Sequence, residues 1–355
     1  MNSFNRGEWS ELYGVLFLLV KPNVNIADAQ LKSINDTIYV LKKIILDSKI
    51  KLEYVVDSNT QTILVYADGN EIKNYTRSVI DIERKKILDY ISNHSEKTGA
   101  FKIPNSENFI REITADTSFK SKSSNKSDVA ISVFDTRKRN EYLLNYSIKS
   151  MLGSPATILN ASRNTNFKYK ILNFSTERMK IVNSIKTKTK LLDRIKKIKS
   201  FGDTQIVFDS VVSESLEYNL KMIDSLLPTY LGKTLLYSYE NDNKNLKQIF
   251  KLANNELTEE FSNKKLGDFL NGISFGFVPS KKWNGINSVN GGLIVVKNNG
   301  DVVVLDLMYY PQEVNKYLIN QSKLDSPSTH RYHMLEIFEE NGEFYFTLNL
   351  QVRYK

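Results

Sequence analysis

Helical and strand periods alternate along this chain. That alternation predicts an α/β (α+β) fold: a mixed central sheet with flanking helices in the N-terminal half, then an α+β C-terminal half. Three observations carry the prediction. Residues 5–20 place Trp9, Leu12, Tyr13, Leu16 and Val20 at helical spacing. The segments 128–134 and 142–150 read as two strands joined by a polar turn, a hairpin. The end of the chain reads as strands again, at 293–297 and 301–307 around an Asn-Asn-Gly turn, then at 332–338 and 344–351.

The remaining elements follow in order. Strands are predicted at 37–46, 52–57 and 62–66, and a long helix over 75–92. Its stripe of Ile80, Ile87, Leu88 and Ile91 is interrupted by Glu83 and Arg84. Residues 118–127, SFKSKSSNKS, form a polar loop. Another strand is predicted at 167–174. Residues 176–200 carry nine Lys and Arg opposed only by Glu177 and Asp193, and Ile181, Ile185, Leu192, Ile195 and Ile198 make part of this run an amphipathic helix. Helices are predicted at 213–227, 243–253 and 266–273. The change of character at 176–200 divides the chain into 1–175 and 176–355, unless the two are one continuous domain.

A length of 355 residues suits about two domains and a substantial core. The chain has no cysteine, which excludes disulfides, thiolate metal sites and cysteine nucleophiles. Histidine occurs only at 94, 330 and 333. No run of 18 apolar residues predicts a membrane span, and the apolar stretch 13–20 follows Glu8 and Glu11 rather than a basic segment, unlike a signal peptide. Walker A and dinucleotide fingerprints are absent, so no ATP use is expected. The net charge of +9 points to a polyanionic partner, although a composition rich in Asn, Ile and Lys produces such a charge by itself.

The chemistry concentrates on the predicted hairpin. Phosphodiester hydrolysis with magnesium needs carboxylates for a hard cation and a base or lysine at the attacking water. Asp128 opens one strand and Lys149 ends the next. Strand period puts Asn145, Ser147 and Lys149 on one face, while Ile148 can still offer its backbone carbonyl to a metal. Ser147 stands where such hairpins usually carry a second acid, so the missing carboxylate must come from elsewhere: Glu8 or Glu11 on the first helix, or more remotely Glu141. A solvated hairpin face with an edge lysine would give the same pattern.

Read together, three blocks are more specific. FNRGEWSELYGVLFLL, YSIKSMLGSPATILNASRNTNF and SKLDSPSTHRYHMLEIFEENGEFYFTLNLQVRY resemble, in order, signature blocks of the HpaII-type restriction endonucleases. The resemblance implies a PD-(D/E)XK-like core and a type II restriction endonuclease. It implies Mg²⁺-dependent cutting of double-stranded DNA at a short palindrome, CCGG in the family prototype, and a companion cytosine methyltransferase. It assigns Asp128 to the metal, Lys149 to the attacking water and the helix-borne acid to Glu8 or Glu11, with Glu8 favoured because it follows Gly7 at the helix start. The family shows the same Ser-Ile-Lys, so Ser147 does not mark a dead enzyme. Metal ligands would then be Asp128, Glu8 and the Ile148 carbonyl.

DNA contacts are expected from Ser150 and from the amide- and hydroxyl-rich stretch after it, at Thr157, Asn160, Ser162, Arg163, Asn164 and Asn166. His330, Arg331 and His333 are expected to join them, since Arg pairs with guanine and Asn with adenine. Each segment has a plainer reading: a loop satisfied by its own turns, or a turn entering a strand. The basic run 176–200 is either a phosphate-tracking surface or a solvated helix face. A palindromic site calls for a two-fold homodimer. The expected setting is cytoplasmic. Two alternatives stay open: a non-sequence-specific or structure-specific nuclease with the same core, and a degenerate DNA-binding protein.

Overall fold

The computed structural model describes residues 3–34, 38–57, 59–93, 99–117, 126–329 and 331–355. Most of the loop predicted at 118–127 lies outside these, as do His94 and His330. The backbone divides into two compact units, Met1–Ala156 with Asn287–Tyr317, and Thr157–Ile286 with Leu318–Lys355. The sequence reading draws one boundary, at 175/176; in the structure the chain passes between units after 156, 286 and 317.

The first unit contains α1 (Arg6–Val20), β1 (Tyr39–Asp47), β2 (Lys51–Asp57), β3 (Thr62–Ala67), β4 (Asn70–Thr76), α2 (Arg77–Asn93), α3 (Glu107–Ile113), β5 (Val129–Asp135), β6 (Asn140–Ser150), β7 (Gly292–Val296) and β8 (Val302–Asp306). The strands form one eight-stranded mixed sheet in the order β8-β7-β6-β5-β1-β2-β3-β4. The β6–β7 pair is parallel, and every other neighbouring pair is antiparallel. The predicted α/β class with a mixed sheet and flanking helices therefore holds.

Helix α1 starts where its sequence supplies a capping box. Asn5 accepts the Glu8 backbone N–H at 3.0 Å, and the Glu8 carboxylate accepts the Asn5 N–H at 2.8 Å. Its body is apolar nearly all round, with Trp9, Leu12, Val15, Leu16 and Leu19 at 1% exposure or less, as expected of a helix laid inside a core. Gly14 lets it approach the sheet: a Cβ there would meet Val296 at 3.2 Å and Ile148 at 3.7 Å. Arg84 of α2, read from sequence as a break in the stripe, is buried against α1. It pairs with Asp81, donates to Tyr13 Oη at 3.4 Å and lies over the Phe17 ring. Strand β7 begins with a glycine by necessity. Gly292 has φ +128°, and a Cβ would fall 2.0 Å from the Leu305 carbonyl.

In the second unit, strands Gln205–Val211, Asn166–Leu172, Glu343–Asn349 and Phe338–Glu340 form a four-stranded antiparallel sheet in that order. Ser322–Leu324, Val352–Tyr354 and Thr157–Leu159 form a three-stranded one. Tyr169 stacks on Phe346 at 5.2 Å and donates to the Gly232 carbonyl at 2.8 Å. The predicted helix at 213–227 stops at Ile223, and a separate helix, Leu227–Asn241, follows. The run 176–200 is two helices, Thr176–Asn183 and Lys190–Lys199. The strand predicted at 332–338 is a turn instead: His333 (φ 49°) and Leu335 (φ 54°) are left-handed, which a strand cannot accommodate. Trp283, read from sequence as a packing residue, sits half-buried beside Phe277, at 5.7 Å between ring centroids.

Candidate active site

The β5–β6 hairpin brings the sequence-predicted groups together. Asp128 sits just before β5 and is tied to β6 by its backbone N–H, which donates to the Tyr146 carbonyl at 2.9 Å. Its Oδ2 accepts the Ile148 backbone N–H at 2.6 Å and the Ser147 hydroxyl at 2.8 Å. Lys149 Nζ donates to Ser147 Oγ at 2.6 Å and to the Ile148 carbonyl at 3.0 Å, and stands 3.6 Å from Asp128 Oδ2. Ser147, 2% exposed, is thus a relay: it takes a proton contact from the lysine and gives one to the aspartate. Asp128 and Lys149 are only partly exposed, so their charges are weakly screened.

The two acids of α1 separate. Glu8 is buried, and its carboxylate closes the capping box. Glu11, one turn on, lines a cavity of about 260 Å³ together with Arg6, Ile148, Lys149, Ser150 and Ser154. Gly153 (φ +109°) shapes its rim, since a Cβ there would strike Arg6 Cδ at 2.6 Å. Glu141 stays exposed at the start of β6, remote in sequence from the end that carries Lys149.

Lys126 was missed in the sequence, where it reads as one lysine of a polar loop. Burial and the neighbouring Lys149 charge push its ammonium down to about 8, against the opposing pull of Asp128. The sequence signal was available: Lys126 lies two residues before Asp128.

The opposite end of β5 holds a different carboxylate. Asp135, fully buried, accepts the backbone N–H groups of Arg137 (2.9 Å) and Lys138 (3.0 Å) and the Tyr309 hydroxyl (2.7 Å). Burial raises its pKa, but the three donations together outweigh this and hold it below the usual carboxylate range.

The donors around Asp128 are all oxygens, which suits a hard cation. Among the described residues no group of three or more His, Asp or Glu could hold a metal by itself. That does not disqualify magnesium, which commonly takes one or two carboxylates and completes its shell with water and substrate phosphate.

The chain matches the family model for HpaII restriction endonuclease over residues 5–354. The chain belongs to the HpaII restriction endonuclease family. It is 31% identical over 365 aligned residues to the type II restriction enzyme HpaII of Haemophilus parainfluenzae, an alignment covering 99% of this chain and 98% of that protein. No solved structure matches. Membership makes the chain a type II site-specific endonuclease, with DNA as its substrate.

In this family member the expected DNA contacts fall into distinct settings. Ser150 lines the Lys149 cavity. Ser162 and Asn166 belong to an internal network in the second unit: buried Asn349 donates to the Ser162 carbonyl and to Asn166 Oδ1, both at 2.6 Å. Asn160 and Arg163 are exposed, and Thr157 and Asn164 are partly so. Arg331 is exposed, and His333 contacts Glu336 at 3.0 Å. His330 lies outside the described residues. Of the nine cations in 176–200, buried Arg194 is structural, donating to the carbonyls of Leu335, Asn183 and Ile185. Arg178 pairs with Asp203 and Lys199 with Glu240. Among the described residues no helix is long and apolar enough to cross a membrane.

Proposed function

We propose that this family member is a Mg²⁺-dependent endonuclease with a PD-(D/E)XK-like core that cuts both strands at a short palindrome, with CCGG as the expected sequence. The supporting observation is the Asp128–Ser147–Lys149 relay at the end of the β5–β6 hairpin. The relative's name and the sequence blocks support the specificity. Asp128, the Ile148 carbonyl and Glu11 would hold the ion; we assign the helix acid to Glu11 rather than Glu8 because Glu11 shares a cavity with Lys149, whereas Glu8 closes the helix cap. Magnesium, when bound, polarises the phosphate and lowers the pKa of the attacking water.

The protein's own part is preorganisation. Two donors fix the Asp128 carboxylate before substrate arrives. Lys149, held by Ser147 and by the Ile148 carbonyl, keeps its charge where negative charge develops on the phosphate. Exposed Arg331, Arg163 and Asn160, with Thr157 and Asn164, supply base and phosphate contacts, and the lysines of 176–200 add phosphate affinity. Ser162 and Asn166 contribute by shaping the loop that carries them. We further propose a two-fold homodimer on the palindrome, a cytosine methyltransferase protecting the same site, and a cytoplasmic setting.

The test is a digest of unmethylated plasmid with magnesium, with the fragment ends sequenced and CCGG-methylated plasmid as control. Discrete fragments ending at CCGG and blocked by methylation are expected. Discrete ends elsewhere would replace the specificity. A smear would indicate a nuclease without sequence choice. Binding without cutting would favour a degenerate site, with Ser147 as its cause.

A further inference from the structure

The site holds more positive charge than its hydrogen bonds require. Lys149 is satisfied by Ser147, Ile148 and Asp128. Lys126 is partly buried and interacts electrostatically with both Lys149 and Asp128. Among the described residues, no carboxylate forms an ion pair with it, and its backbone N–H makes the only hydrogen bond found for it, to Ser288 Oγ at 3.4 Å. Two ammonium groups therefore share one carboxylate in a partly desolvated place. Like charges held together out of water destabilise a fold unless an anion arrives to separate them. A structural lysine would be paired or solvated, and this one is neither.

We propose that Lys126 is a second substrate contact, an ammonium that grips the scissile phosphate beside Lys149. This rests on the reading of Asp128 and Lys149 as the cleavage site. The phosphate enters as the missing counter-charge: it bridges the two lysines and turns their repulsion into attraction. Position 147, which carries a hydroxyl instead of an acid, makes room for this arrangement, because a second carboxylate there would neutralise the extra lysine before DNA arrived.

The test uses the full-length protein and a duplex with one target site. A second duplex is identical except for an uncharged methylphosphonate at the scissile position. Binding is measured in EDTA, and single-turnover cleavage with magnesium. Lys126→Met should weaken binding to the charged duplex by about tenfold or more, the scale of a charge-assisted hydrogen bond, with no change on the methylphosphonate duplex. Cleavage should fall by about a hundredfold and recover mostly in Lys126→Arg. The melting temperature of Lys126→Met should stay level or rise, because a like-charge contact is removed.

Equal loss on both duplexes, or cleavage within about threefold of the parent, overturns the proposal. Should Lys126→Met fail to fold, Lys126→Arg read on the two duplexes decides: it must keep the preference for the charged one. Asp128→Ala keeps the two readings apart. If that variant still cuts, the site itself is misplaced; if it binds without cutting, a negative result at Lys126 counts against Lys126 alone.

Discussion

Asp128 and Asp135 flank the two ends of one strand, yet they live under opposite conditions. Asp135 is fully buried, takes three donors and pins the hairpin turn. Asp128 is partly open, takes two donors and faces two lysines. One carboxylate has all its charge spoken for within the fold. The other is held firmly and left incompletely neutralised. The difference teaches that a hydrogen-bonded carboxylate is not by itself a site; surplus charge around it is the informative feature.

Substitutions should break this comparison in different currencies. Asp128→Asn should lower single-turnover cleavage by at least about a thousandfold, because several kcal/mol of metal stabilisation goes with the ligand. DNA binding and the melting temperature should stay close to those of the parent. Cleavage of a single-site duplex by that variant at parental rate would refute the assignment.

Asp135→Ala should do the reverse. It leaves two backbone N–H groups and a tyrosine hydroxyl without their acceptor, a loss of roughly 2–4 kcal/mol, visible as a lower denaturant midpoint. Cleavage measured well below the melting temperature should persist. The pH dependence follows from the lowered Asp135 pKa. Its stabilisation is full above the unfolded carboxylate value of about 3.9 and is lost as pH falls from there through the folded value. Acid denaturation should therefore lose part of its steepness below about pH 4 in Asp135→Asn, and an unchanged acid limb would argue against this sign.

The smallest contrast lies on α1. Glu11→Gln should cut the rate by about tenfold to a hundredfold with little change in stability. Glu8→Gln should cost about 0.5–1 kcal/mol through the weakened cap and leave the rate alone. Rates that fall in Glu8→Gln and hold in Glu11→Gln would return the acid to Glu8.

Local pattern carried much of this in the sequence. The hairpin, its Asp128 and its Lys149 were legible because strand period and a polar turn are local signals. Helix α1 was legible down to its cap. What depends on distant chain was not. Glu11 and Glu8 sit on the same helix in the same block, and only the packing of α1 on the sheet shows which one shares the lysine's cavity. Strand β4 escaped because it is almost wholly exposed, with charged and polar residues in place of alternation. Helix Leu227–Asn241 escaped because Pro228 and Gly232 read as breakers. Pro228 sits in the first turn, where proline is tolerated, and Gly232 admits the Phe208 ring, which a Cβ would meet at 2.4 Å. The left-handed residues near His333 have no glycine to announce them.

The parallel pairing of β6 with β7 fixes when the enzyme can come into being. Lys149 lies opposite Val295, and about 140 residues of chain, nearly all of them the second unit, separate the two strands. At synthesis rates of about 5–20 residues per second, the ribosome needs roughly 7–30 s to pass from one to the other. During that time the nascent chain already contains Glu11, Lys126, Asp128 and Lys149, but the strand carrying the lysine still lacks its neighbour. A hydrolase aimed at the genome of its own host is thus put together last, and an interrupted translation product ends before its cutting edge has a sheet to stand on.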